Sequence, residues 1–171
     1  MGRLRSVVFS AVFGVSASMT ALAQGGGRGG MAGTPGMGAS ADTGFAALQK
    51  RGKEAMGVDQ YTSTHHFEAL PDGGRVELQR DVDDTAGVAQ IRRHLQEIAH
   101  SFAAGDFTTP ALVHMQDVPG TKVMAAQRAA ITYLYRALPR GGEVRIVTHD
   151  PDALAAIRDF LAFQRMDHHA P

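Results

Sequence analysis

Polar and apolar residues alternate through Arg75-Val76-Glu77-Leu78-Gln79, the mark of a strand with one buried face. Residues 61–70 read as the strand before it, and Pro71-Asp72-Gly73-Gly74 between them predicts a tight turn, so the pair forms a hairpin. The period then changes. Val88, Ile91, Leu95, Ile98 and Phe102 recur at helical spacing and stop before Gly105. Asp83, Asp84 and Thr85 offer the oxygens that cap such a helix. The same succession returns downstream. Strands over 131–138 and 143–148 flank Pro139-Arg140-Gly141-Gly142, and Asp150-Pro151 opens a helix carrying Leu154, Ile157, Leu161 and Gln164.

The likeness extends to the residues themselves. Ala69-Leu70-Pro71-Asp72-Gly73-Gly74 reappears as Ala137-Leu138-Pro139-Arg140-Gly141-Gly142, a shift of 68 positions (137 minus 69). Thr64 aligns with Thr132, and Ile91-Arg92-Arg93-His94-Leu95 with Ile157-Arg158-Asp159-Phe160-Leu161. A chain that repeats in this way carries two copies of one supersecondary unit. A lone hairpin leaves its apolar face wet. The expected fold is therefore α+β: a duplicated ββα unit forming one four-stranded antiparallel sheet, with two helices on one face and a pseudo-twofold axis relating the copies. The repeats cover about 61–104 and 129–166 of a single domain at 57–171. The link between them, 106–123, reads as a long loop.

The stretch before residue 57 has a different character. Arg3 and Arg5 precede an apolar run at 7–15, and Ala21-Leu22-Ala23 supplies a small-x-small cleavage pattern. Residues 1–23 are thus expected to be a signal peptide, cut after Ala23, which places the protein in the periplasm or outside the cell. The run is too short for a permanent membrane anchor. Residues 24–56 read as a flexible Gly-, Ala- and Met-rich tether with room for a short helix at 43–55, carrying Phe45 and Leu48 on one side.

Composition narrows the chemistry. With no cysteine, neither disulfides nor thiolate ligands are available, and any metal would rest on imidazole, carboxylate or thioether groups. The 17 basic and 17 acidic residues balance and form no basic stripe, so nucleic acid is not an expected partner.

The repeat also exposes a contrast. Where the second copy has Tyr133, Leu134 and Phe160, the first has His65, His66 and His94. Strand alternation puts His65 toward the helices and His66 on the open face. His94 borders the buried stripe of the first helix. His114, Met115 and Met124 lie in or just beyond the connecting segment, free to close over the seam. Imidazoles converging from a strand, a helix and a loop suit a first-row metal, and a thioether tilts the choice toward copper. The expected ligands are His65, His66, His94, His114 and Met124. The plainer alternative is a hydrogen-bonded core histidine and a gap-filling methionine. His100 and His149 read as solvent-facing, and His168 and His169 as a solvated tail.

No nucleophile elbow, phosphate loop, dinucleotide fingerprint or His-Glu-x-x-His helix occurs. Ser63 and Ser101 have no favoured triad spacing. Thr64-His65-His66-Phe67, Pro71-Asp72-Gly73-Gly74, Ile91-Arg92-Arg93-His94-Leu95, Val113-His114 and Asp117-Val118-Pro119-Gly120-Thr121 together resemble a family of small exported bacterial proteins, some of them labelled aspartate carbamoyltransferases. The resemblance implies export and directs interest to His65, His66, His94 and His114. A carbamoyltransferase would need a Ser-x-Arg-Thr loop for its phosphate, which the chain lacks. Two functions follow as expectations. One is a periplasmic copper-binding protein. The other is a metal-free interaction module, acting as a homodimer or with a periplasmic protein partner.

Overall fold

A computed structural model describes residues 38–57 and 59–171. The expected signal peptide and residues 24–37 of the expected tether lie outside them. The chain order is helix α1 (Gly38–Met56), strands β1 (Ser63–Leu70) and β2 (Gly73–Arg80), helices α2 (Thr85–Ala103), α3 (Thr108–His114) and α4 (Thr121–Ala126), strands β3 (Ile131–Leu138) and β4 (Gly141–Thr148), and helix α5 (Pro151–Asp167). Single 3-10 turns precede β1 and β3. No described helix is long and apolar enough to cross a membrane.

The strands form one antiparallel sheet in the order β1-β2-β4-β3. Val76 faces Val144 where β2 meets β4, and these positions are 68 apart (144 minus 76), the same shift that relates the hairpins in sequence. The pseudo-twofold axis therefore passes between these two valines. The turns are tighter than the sequence suggests. Leu70 pairs with Gly73 and Leu138 with Gly141, leaving only Pro71-Asp72 and Pro139-Arg140 as loops. Strands β2 and β4 thus begin on the glycines.

Those glycines set how closely the helices approach. A Cβ on Gly74 would stand 2.1 Å from Leu161 Cδ1 of α5, and one on Gly142 would stand 3.2 Å from Leu95 Cδ1 of α2. Each helix therefore sits over the hairpin of the other repeat: α2 packs mainly on β3 and β4, and α5 on β1 and β2. Ile91, Leu95, Ile157 and Leu161 meet Leu78, Val144 and Ile146 in one apolar core. Both helices start where capping chemistry places them. Asp84 accepts from Gly87 N–H at 3.1 Å, and Asp150 accepts from Asp152 and Ala153 N–H at 3.0 and 2.8 Å, with Pro151 in the first turn.

Two segments differ from the sequence reading. Residues 106–123 are not an open loop but contain α3 and the start of α4, helices of seven and six residues. Each is too short for a helical period to register. In the expected tether, helix begins at Gly38 and runs to Met56. Leu48 of α1 is buried, α1 packs on α3, and Arg51 Nε donates to Val113 O at 2.7 Å.

A candidate ligand cavity lined by histidines

Beneath β1 the sheet and helices do not close completely. They leave a cavity of about 540 Å³, counting its open mouth, floored by His65, Phe67, Val76 and Leu78 of the first hairpin. Helix α2 contributes His94 and Phe102, α3 contributes Thr109 and His114, α5 contributes Phe160 and Gln164, and His168 follows α5. The walls are mainly apolar, with four imidazoles among them.

His65 faces inward by strand alternation: Phe67, on the same side, is buried, while the intervening His66 is exposed. The His65 ring lies 5.0 Å from that of His168 at a tilt of 31°, and 5.5 Å from Phe67 in a stacked arrangement. His168 meets His114 edge-on at 5.1 Å. His114, buried at the end of α3, uses both ring nitrogens. Its Nδ1–H donates to Asp167 Oδ2 at 2.5 Å, and Nε2 meets the Gln164 amide at 3.1 Å.

Burial governs the charge of the other three imidazoles. It holds His65 well below its ordinary value of 6.5, helped by the nearby His168, His94 and His66. It lowers His94 to about 4. It also lowers His168 to about 4, with His114 adding to the effect and Asp167 opposing it. At neutral pH these rings are uncharged, so each carries one N–H donor and one nitrogen with a lone pair.

Of the expected ligands, His65, His94 and His114 reach the cavity, and two do not. His66 points to the opposite face, paired across the strands with Glu77 and near Glu68 and Arg75. Met124 of α4 is 0% exposed inside the apolar core, where its thioether fills space. Met115 is exposed. His114 has neither nitrogen free for an ion, and no three His, Asp or Glu side chains among the described residues are placed to hold one together. His100 and His149 are exposed, as expected.

His168 overturns the expectation of a solvated tail. Ala170 N–H bonds to Arg165 O and His169 N–H to Met166 O, with His169 in the left-handed conformation at φ 51°. This Schellman pattern turns the chain back toward the core. Phe45 of α1 then stacks on the His169 ring at 4.3 Å. A signal for His168 was present in the repeat. Ile91 aligns with Ile157, a shift of 66, and the same shift carries Phe102, a stripe residue of α2, onto His168.

That correspondence also explains the cavity. In the second half, Phe102 meets Tyr133 at 5.8 Å and Phe160 at 5.8 Å, and Phe107 stacks on Phe102 at 4.4 Å. The symmetry-related positions are His168, His65 and His94. Five-membered rings stand where the other half packs six-membered ones. Comparison with protein families, with curated proteins and with solved structures found no match to this chain.

Proposed function

We propose that this is an exported binding protein that holds a small, largely apolar molecule in the cavity beneath β1. The reading rests on one observation. Positions packed with Phe102, Tyr133 and Phe160 in one half carry His168, His65 and His94 in the other, around open space. A concave, mainly apolar site with a few convergent polar groups suits ligand binding. Neutral imidazoles add directional hydrogen bonds without burying charge. Export is supported by the charged, apolar and small-residue succession over residues 1–23.

Copper remains as a second reading in a narrower form. His65 and His168 face each other at 5.0 Å, and both are neutral at pH 7, as metal ligation requires. His94 lines the same cavity. Thermal melts of the purified protein with a panel of one- and two-ring apolar fragments, and separately with Cu(I), test both readings. A ligand of the native state raises the melting temperature by mass action. Stabilisation by fragments, lost when His65→Trp fills the cavity, is the expected result. Stabilisation by Cu(I) alone, lost in both His65→Ala and His168→Ala, would favour copper instead. No shift with any fragment or with copper at saturation would defeat both.

A further inference from the structure

Resting on the cavity reading, we infer that the ligand is a single aromatic ring bearing a hydroxyl, a phenol of the p-cresol type, with its hydroxyl donating to the imidazole of His65. The second half of the molecule supplies the template. There, at the position related to His65, Tyr133 places a phenol ring edge-on to Phe102 at 5.8 Å, within a niche closed by Phe107 and Phe160. In the first half that phenol is replaced by the imidazole of His65, and its Phe102 partner by His168. Phe67, Phe102 and Phe160 still line the resulting space. Ring edges and faces at such distances favour another aromatic ring over an alkyl chain.

The polar end of the ligand follows from the same comparison. The Tyr133 hydroxyl is buried with no partner among the described side chains or backbone, so a phenol in that niche gains nothing from its oxygen. In the histidine-lined cavity a hydroxyl meets neutral His65, whose ring nitrogen accepts a proton donor. A hydroxyl can both donate and accept, so it matches either tautomer of that ring. Toluene, with the same shape and no hydroxyl, leaves the ring nitrogen unmatched. Such discrimination by one buried hydrogen bond amounts to roughly tenfold or more in affinity.

Calorimetric titration with p-cresol and with toluene tests the inference, and the proton resonances of the histidine rings locate the site. Expected are p-cresol binding at least roughly tenfold tighter than toluene, and movement of the His65 and His168 ring resonances while those of exposed His100 and His149 stay fixed. Replacing His65 by the residue of its repeat mate, His65→Tyr, should preserve the melting temperature and abolish p-cresol binding, because the chain then fills its own niche. If that variant fails to fold, His168→Phe, which copies Phe102 of the other half, applies the same test. Toluene binding as tightly as p-cresol would overturn the hydroxyl while leaving the apolar cavity in place. Binding of neither compound, with other apolar fragments stabilising the protein, would overturn the phenol class alone. Undiminished p-cresol binding in a folded His65→Tyr or His168→Phe protein would place the site elsewhere.

Discussion

Lowering the pH from 7 to 5 should destabilise this protein well before the carboxylates of Asp59, Asp72 and Asp106 begin to titrate. His94 and His168 have folded values of about 4 against an ordinary 6.5. An unfolded histidine therefore takes up a proton between these limits while the folded one does not. With more protons bound to the unfolded chain, stability falls as pH falls through this window. Each histidine loses roughly 2 kcal/mol by pH 5 and roughly 3 kcal/mol in full once the pH is below 4. The pair thus removes roughly 4 kcal/mol at pH 5, a large part of a typical domain stability of about 5–15 kcal/mol, and His65 acts in the same direction. The carboxylates of Asp59, Asp72 and Asp106 are held below 3.8 by their hydrogen bonds. Their stabilisation is lost only as pH drops below that value, so the two windows are separate. Urea midpoints at pH 7, 6, 5 and 4.5, with constant slope, measure the effect. The variant His94→Phe/His168→Phe should flatten the curve by the same roughly 4 kcal/mol, and His100→Ala should leave it unchanged. A wild-type midpoint that stays level down to pH 4.5, or a folded double variant with the wild-type slope, would refute the claim that these rings are buried uncharged.

Three further outcomes follow from the packing. Gly74→Ala should destabilise by about 1–3 kcal/mol in urea melts, because its Cβ collides with Leu161 and with Glu68 O, whereas Gly44→Ala meets no atom within 4 Å and should not destabilise. Asp150→Ala should lower stability by about 1 kcal/mol by removing the cap from two amides of α5. Asp167→Ala should cost about 1–3 kcal/mol at pH 7, since it leaves Nδ1–H of buried His114 without its acceptor; an unchanged urea midpoint would show that water takes the place of the carboxylate.

The sheet, its two long helices and the face carried by each strand were legible because period-2 and helical patterns ran for several residues at a time, twice over. Asp84 and Asp150 marked the helix starts because their side chains satisfy local amides. The packing of α2 on β3–β4 and of α5 on β1–β2 was not legible. It depends on Leu95 and Leu161 seating over glycines of the opposite hairpin, which is information between repeats and not within either. The same gap explains the partial reading of the site. His65 and His94 belong to the buried faces of their own elements, so pattern alone identified them. Met124 also lies on a buried face, but α4 turns it into the core and away from the cavity. His168 was hidden because it is the C-cap residue of α5, just past the stretch read as helix, although it continues the stripe of Ile157, Leu161 and Gln164 that brings it against β1.

Because the helices cross over, the cavity belongs to neither repeat. Its floor is β1 and β2 of the first copy, its opposite wall is α5 of the second, and His65 faces His168 only across that boundary. Duplication thus gave two equivalent niches under the outer strands, each a seam between the copies. One retains Tyr133 and the Phe102–Phe107–Phe160 cluster, and its ring contacts consolidate the core. With that half packed, the other can exchange rings for smaller, hydrogen-bonding ones and leave space without losing the sheet. The expected penalty is acid sensitivity, because buried His94 and half-buried His65 and His168 are held below their ordinary value by their surroundings. A niche kept open at that penalty, beside a twin that shows how the same backbone closes it, is the feature that the proposed ligand would account for.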